Sequence, residues 1–352
     1  MRAVVLREFG GPEVLRVEEV PDPVPVAGEV VVEVHAVTVN QSLDLKVRAD
    51  GTVRGTTLPH VLGVDPAGVV VAVAADVDSV SVGDRVAVVP HIRCGRCGFC
   101  TSGREEQCPN SRHIGVHRWG GYAERVAVPA QNAIRIPDTL DFVDAAVILR
   151  HAPTAFNLLR NLADVQPGEW VLVMGATGGL GAAGVQVAKL LGATVIAGAG
   201  ADSRVEVALA NGADVGVNYR SSDLTEEVLR ITEGRGVHVV FENISDPEIW
   251  PKAFASLAHG GRLVTAGAHG GGKVELDVRR LYGRRLRIIG GAGASRRDVE
   301  TALEAAGQGR LHAVVDRVMP LDSAAEAHRL AEKGGLLGKI VLAPRAPAEE
   351  PA

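Results

Sequence analysis

Cys94, Cys97, Cys100 and Cys108 are all the cysteines of this chain, and they fall inside one fifteen-residue stretch. Their spacing, with two, two and seven residues between successive sulfurs, brings four thiolates to one point and suits a closed tetrahedral zinc site. Two disulfides are the other use of four thiols, but they would crowd one loop of a large, otherwise cysteine-free chain. The metal reading is preferred, at one zinc per chain. Four sulfurs leave no open position for a substrate, so this zinc is structural.

The 352 residues make two domains the default. With 46% hydrophobic but only 3% aromatic residues, the cores must be built from Val, Ala and Leu. A net charge of −5 argues against nucleic acid or an anionic membrane as partner. No apolar run is long enough for a membrane helix. Met1-Arg2-Ala3-Val4-Val5-Leu6 reads as a strand rather than a signal peptide. A cytoplasmic protein acting on a small-molecule substrate is expected.

Two rhythms divide the chain. Residues 1–148 carry short Val-rich alternating runs, such as Glu29–His35 and Gly68–Val73, punctuated by Gly and Pro: an antiparallel β domain. Residues 149–315 alternate apolar strands with helical patterns. The strands are Trp170–Met174, Ala193–Ala197, Val237–Phe241, Gly261–Thr265 and Leu286–Ile289, with a helix over Ala182–Leu191. That alternation means an α/β domain with a parallel sheet covered on both faces. Residues 316–352 return to the first domain, ending in a strand over Lys339–Leu342. The tail from Pro344 to Ala352 reads as disordered.

After Trp170–Met174 comes Gly175-Ala176-Thr177-Gly178-Gly179-Leu180-Gly181, then a helix. A glycine pattern alone is weak in a chain with 42 glycines. Between a buried strand and a helix it is a dinucleotide-phosphate cradle. Gly178 lets backbone approach a pyrophosphate, Gly181 lets helix and strand pack closely, and the helix N-terminus faces the phosphates. The next strand ends in Ala and Gly where an NAD site usually has an acid; Asp202 comes late and Ser203 and Arg204 follow, with Tyr219 and Arg220 after the next strand. A guanidinium suits a 2′-phosphate, so NADPH is preferred to NADH. In the alternative, Asp202 takes the ribose.

These segments resemble the medium-chain dehydrogenase/reductase superfamily, the zinc alcohol dehydrogenase and quinone oxidoreductase group. Its marks here are Pro23–Glu29, Leu62–Gly68, Gly83–Val86, the cysteine lobe, Gly120–Glu124, Thr154–Phe156, the Gly175 loop, Asn218-Tyr219 and Gly338–Leu342, covering nearly the whole chain. The resemblance implies a GroES-like domain plus a Rossmann domain, with substrate in the cleft between them. It also implies cofactor contacts from Thr154, the Gly267-Ala268 turn and Tyr219, and a homodimer joined near Leu286–Ser295.

Against that family pattern the catalytic zinc ligands are missing. Counting back from Asp44 puts Gln41 at the family's cysteine; counting as in quinone reductases puts Asn40 there. The family histidine reads Val64, and the third ligand position reads Arg150, beside His151. An amide is a poor zinc ligand and a guanidinium cannot be one. Without a Lewis acid a plain ketone is a hard substrate, whereas hydride addition to a conjugated C=C spreads charge onto an oxygen that hydrogen-bond donors can hold. Members that resemble this chain in lacking that zinc reduce quinones, enones or acryloyl thioesters. The expectation is an NADPH-dependent reductase of that kind.

Asn40 and Gln41 are candidates to orient carbonyl and nicotinamide, Asp44 to hold a nearby donor, Arg150 to stabilise an enolate or carboxylate, and His151 to donate a proton. Lys46 stands where quinone reductases often have Tyr. Each has a plainer reading: Asp44 as a helix cap, Arg150 as a salt bridge, His151 as a hydrogen-bonded helix-start residue, and His60 as a loop residue. The rivals are an alcohol dehydrogenase whose zinc is held by His60, Asp65 and His151, a reductase of one elaborate intermediate, and a non-enzymatic role such as a lens crystallin's.

Overall fold

In the computed structural model, residues 1–51 and 55–344 are described; the tail beyond Pro344, read from sequence as disordered, lies outside them. The chain divides into two compact units, residues 1–150 with the chain from Val315 onward, and residues 151–314.

The first unit is built mainly of β-strands. Its strands are β1 (Arg2–Leu6), β2 (Leu15–Glu19), β3 (Glu29–Thr38), β4 (His60–Val61), β5 (Ala67–Val73), β6 (Arg85–Val88), β7 (His91–Ile92), β8 (Arg112–His113), β9 (Arg125–Pro129) and β10 (Ala133–Arg135). The long strand β3 organises it, pairing antiparallel with β5 and β9. Alternate β3 residues Val30, Val32 and Val34 are fully buried, as period-2 patterning requires. With so few aromatics the core is aliphatic, and Tyr122 is its largest fully buried side chain. His60 corrects the loop expectation: it sits in β4, paired with Leu6 of β1, and is buried.

The second unit is a parallel sheet in the order β13–β12–β11–β14–β15–β16, formed by β11 (Trp170–Met174), β12 (Thr194–Ala199), β13 (Val215–Asn218), β14 (Val237–Glu242), β15 (Leu257–Thr265) and β16 (Arg287–Gly290). Order reverses across β11, which lies between β12 and β14, and such a switch point is where doubly wound sheets take ligands. The helix after β11 runs Gly179–Leu190, starting within the glycine loop rather than at Ala182. Finally β17 (Val315–Pro320) and β18 (Lys339–Ala343) return to the first unit, where β18 pairs antiparallel with the end of β3. That pairing carries Lys339 to Asn40. Among the described residues no helix is long and apolar enough to cross a membrane.

Candidate functional site

After Thr38 the chain makes one π-turn, Gln41–Leu45, closed by Leu45 N–H donating to the Asn40 carbonyl, 3.2 Å. A π-turn absorbs one extra residue. This is why two ways of counting from Asp44 disagreed, and the geometry separates the two amides. Asn40 is buried, whereas Gln41 is exposed and donates from Nε2 to the Ala331 carbonyl, 2.6 Å. Gln41 therefore stands outside the buried network, against its sequence expectation.

Asn40 is the hub of that network. Its Nδ2 donates to Thr38 Oγ1 and Asp65 Oδ2, both 3.0 Å. Its Oδ1 accepts from Lys339 Nζ, 3.1 Å, and lies 3.4 Å from Arg150 Nε. Both ends of the amide are thus committed, so Asn40 positions its neighbours rather than offering a free group. Asp65 accepts from Thr38 N (3.0 Å) and Thr38 Oγ1 (2.7 Å), and its Oδ2 is 3.8 Å from Arg150 Nε. Asp44 is fully buried and accepts two backbone N–H groups, Asn40 N at 2.9 Å and Gly63 N at 3.1 Å. It thereby ties the π-turn to the Gly63 loop, which is more than the helix cap of the plainer reading. Gly63 has φ +95°, and a Cβ there would lie 2.6 Å from the Tyr122 ring, so no other residue fits.

Two acids and two cations make this set electrically balanced, the condition under which buried charge persists. Burial first, then Asp65, pushes Asp44 up to about 7. Burial pulls Lys339 down to about 8, against the opposing pull of Asp65. Arg150 is anchored only through Nε; among the described residues its terminal Nη atoms have no hydrogen-bond partner. Behind Asp44 lies Tyr122, whose hydroxyl is 3.1 Å from His328 Nε2, while Arg48 Nη1 is 3.5 Å from His328 Nδ1. None of Lys339, Tyr122 or His328 was singled out from sequence as a site residue. The only signals were Lys339 inside the Gly338–Leu342 segment and Tyr122 inside the Gly120–Glu124 segment.

The four cysteine sulfurs lie within 4.8 Å of one another. Two contacts, Cys94–Cys100 and Cys97–Cys108, are both 3.9 Å. A tetrahedron with Zn–S bonds of 2.3 Å has edges of about 3.8 Å, so the donor set fits zinc. Backbone N–H groups of Arg96 and Cys97 pull the Cys94 thiol down, while burial and the neighbouring thiols push Cys100 up. Four thiolates this close need a cation. Among the described residues these are the only converging metal-ligand group of three or more. Asp65 has both oxygens engaged as above.

In the second unit the loop Gly175–Gly181 is a cradle of close approaches. A Cβ at Gly181 would lie 2.1 Å from the Gly175 carbonyl, so helix and strand pack as the glycine pattern demands. Ala176 and Thr177 are buried; Gly178, the exposed N-cap, and Gly179 and Leu180 open the helix, with no side chain capping it. The first-turn N–H groups there are available to phosphate oxygens. The His151 ring packs on this loop: a Cβ at Gly179 would fall 2.3 Å from His151 Nε2. Thr154 is half-buried in the same helix as His151, Phe142–Phe156. The Gly267 carbonyl accepts from Ser245 Oγ, 2.8 Å, and Ala268 beside it is exposed.

At the end of β12, a Cβ on Gly200 would lie 3.1 Å from Tyr219 Oη and 3.3 Å from Arg220 Nε. Arg220 and Arg204 both act on the Tyr219 phenol. Asp202 accepts from Asn218 Nδ2, 2.7 Å, and Ser203 is exposed. The residues fit a dinucleotide, with two guanidiniums near this strand end.

Residues 26–138 match the family described as Alcohol dehydrogenase GroES-like domain, and residues 179–308 that described as Zinc-binding dehydrogenase. A NAD-dependent alcohol dehydrogenase of Sulfolobus acidocaldarius is 32% identical over 97% of this chain and 99% of its own length. The human quinone oxidoreductase is 31% identical, covering 97% of each chain. A solved structure of a NAD-dependent alcohol dehydrogenase superposes with a TM-score of 0.90 at 39% identity, over 97% of this chain and 99% of that one.

Proposed function

The chain belongs to the medium-chain dehydrogenase/reductase superfamily and is an oxidoreductase, and on that premise we propose that it is an NADPH-dependent reductase of an activated C=C or a quinone, without a catalytic zinc. One observation carries the reading: Asn40 and Arg150, at two positions where the resemblance expects zinc ligands, contact each other instead, leaving the outer end of a guanidinium unpaired.

NADPH, when bound, supplies the hydride. The Gly175–Gly181 backbone and the helix N-terminus hold its phosphates, and Arg204 and Arg220 hold the 2′-phosphate. Thr154, Tyr219, Gly267 and Ala268 line its remaining parts. Arg150 Nη groups stabilise the negative oxygen that develops as the double bond is reduced, from a position fixed by Asn40 and Asp65. Asn40 and Asp44 are positioning residues. The proton reaches the product carbon from His151 or from water. Zinc in the cysteine lobe supplies cross-linking only.

The same reading includes a homodimer in the cytoplasm. β16 ends the sheet order, and Ile288 on it is 37% exposed, as are Val278 and Tyr282 of the helix that precedes it in sequence; an apolar sheet edge suits a second copy. A thiolate metal site suits a reducing compartment.

A second reading is alcohol oxidation, favoured by relatives named alcohol dehydrogenase. Elemental analysis and turnover separate the two. One zinc per chain with NADPH oxidation by an enone or quinone supports the reductase. Two zincs, with NAD-dependent oxidation of an alcohol lost on mild chelation, overturn it.

A further inference from the structure

Among the described residues, the non-glycine positions with positive φ are Asp164, Glu233, Arg285 and Ser245. The first three are exposed and stand one residue past a helix C-cap, where a left-handed residue commonly closes the last turn. Ser245, at φ +53°, has no such reason: it follows strand β14 and is buried. A left-handed serine persists only where its surroundings over-determine it, and such positions gather at functional sites.

What holds it is Glu242, the buried last residue of β14. The Glu242 carboxylate accepts Ile244 N–H at 2.9 Å and Ser245 N–H at 3.0 Å to each oxygen. The Ser245 hydroxyl lies 3.3 Å from the same carboxylate and donates to the Gly267 carbonyl, 2.8 Å. In the sheet β14 lies between β11 and β15, so this segment meets the loop that ends each neighbour. Toward β11, Asn243 Nδ2 donates to the Met174 carbonyl, 2.6 Å, and a Cβ on Gly175 would lie 3.3 Å from Asn243 Oδ1. Toward β15, Gly270 N–H donates to the Ile244 carbonyl, 2.6 Å, and Gly272 N–H to the Ser245 carbonyl, 3.2 Å. Residues 242–245 therefore bridge the glycine loop and the turn after β15.

The hydroxyl bond orients one peptide. Gly267–Ala268 is trans, so its N–H points opposite to its carbonyl. Pinning the carbonyl on Ser245 turns the Ala268 N–H to the other side, where Ala268 is exposed. That N–H has no hydrogen-bond partner among the described residues.

We propose that Ser245 is a positioning residue for the nicotinamide half of the cofactor. Its hydroxyl sets the Gly267–Ala268 peptide, while Asn243 ties the same segment to the phosphate loop, so ring and phosphates are held in one register. This rests on the reading that Gly267 and Ala268 line the cofactor of a reductase, and it adds the residue that aims them.

The test compares Ser245→Ala and Ser245→Gly in the zinc-loaded protein. Both lose the hydroxyl, but only glycine accepts this φ without strain, so the Ala variant is expected to melt below the Gly variant. Calorimetry compares NADPH with 2′,5′-ADP, and NADH with ADP; each pair shares the adenosine and differs in the nicotinamide half. Both variants are expected to bind the dinucleotides about three- to tenfold more weakly and the fragments within about twofold of wild type, as for one neutral hydrogen bond lost at the nicotinamide end. The kcat for cyclohexenone is expected to fall about tenfold or more in both, because a small misplacement of reacting groups is costly.

Losses that follow melting temperature, large in Ala and absent in Gly, make Ser245 a strained structural residue and overturn the proposal. Fragments weakened as much as whole dinucleotides overturn it too. If wild type reduces neither cyclohexenone nor a naphthoquinone while the dinucleotide-to-fragment ratio still shifts in both variants, the positioning role stands and the reductase reading falls. Reduction by wild type with ratios and kcat unchanged in both variants does the reverse.

Discussion

Arg150 and Asn40, 110 residues apart in the chain, meet with the guanidinium Nε 3.4 Å from the amide Oδ1. The superfamily resemblance puts metal ligands at these positions. Here a side-chain cation stands near where a metal cation is expected. It brings fixed charge and directional N–H groups but cannot bind water as a Lewis acid or lower its pKa. That difference selects among reactions: charge delocalised onto an oxygen several atoms from the hydride acceptor is within reach of a guanidinium.

Arg150→Gln is expected to lower kcat for an enone about 10²- to 10³-fold, the usual cost of one oxyanion donor. Arg150→Lys, which keeps charge but not the fork, falls between. NADPH affinity, read by fluorescence titration, stays within about twofold, since neither variant touches the glycine loop. An equal loss in affinity and kcat makes Arg150 a structural residue.

Arg204 and Arg220 near the end of β12 give a prediction about cofactor choice. Arg204→Ala and Arg220→Ala are each expected to raise KM for NADPH about tenfold and leave KM for NADH nearly unchanged, because a charge-assisted bond to the 2′-phosphate is lost only with NADPH. Steady-state kinetics with both cofactors checks it. If KM for NADH rises equally, the loop itself was damaged and the assignment to the 2′-phosphate falls.

Local features were legible in sequence. The four cysteines converge because their spacing is short and the lobe is self-contained. The parallel sheet was readable because strand and helix periods alternate. The polar network was not. Asn40 against Gln41 was undecidable until the π-turn placed one inward and the other toward Ala331, since a one-residue bulge leaves no periodic trace. Lys339 meets Asn40 across 299 residues, and Tyr122 meets His328 across 206. Such contacts are set by strand pairing, here β18 on β3, and no spacing rule reports them. His60 was read as loop because two-residue β4 is too short to carry a pattern.

Metal removal separates the lobe from the rest. Dialysis against a strong chelator under reducing conditions is expected to release one zinc per chain, and Cys100→Ser to lower the bound zinc and the melting temperature together. Four sulfurs already within 4.8 Å cannot all ionise without a cation, so the apo lobe loosens. A protein that keeps its melting temperature after losing zinc contradicts a structural role for the metal.

His328 makes stability pH-dependent with a definite sign. It is fully buried between Tyr122 and Arg48, and burial followed by the Arg48 charge lowers its pKa to about 3. Between that value and the unfolded value of about 6.5, the unfolded chain binds a proton that the folded chain refuses. Stability therefore falls as pH falls through that window, by up to about 1.4 kcal/mol per pH unit. His113 contributes in the same direction down to about 4. Asp44 opposes: its folded pKa of about 7 lies above its unfolded value, so the folded state holds the proton between about 4 and 7 and gains stability on acidification. His60 and His91, held below their ordinary values by burial, act with His328 and His113, and Glu242, held up by burial, acts with Asp44; the depressed histidines outnumber the raised acids, and net acid destabilisation is expected. His328→Gln lacks the titration but loses the bond to Tyr122, so at pH 7.5 it is expected to be less stable by about 1–3 kcal/mol. That deficit is expected to shrink steadily below pH 6.5. Urea denaturation of wild type and variant at pH 7.5, 6 and 5 measures it, and parallel stability curves would mean that His328 does not stay neutral in the fold.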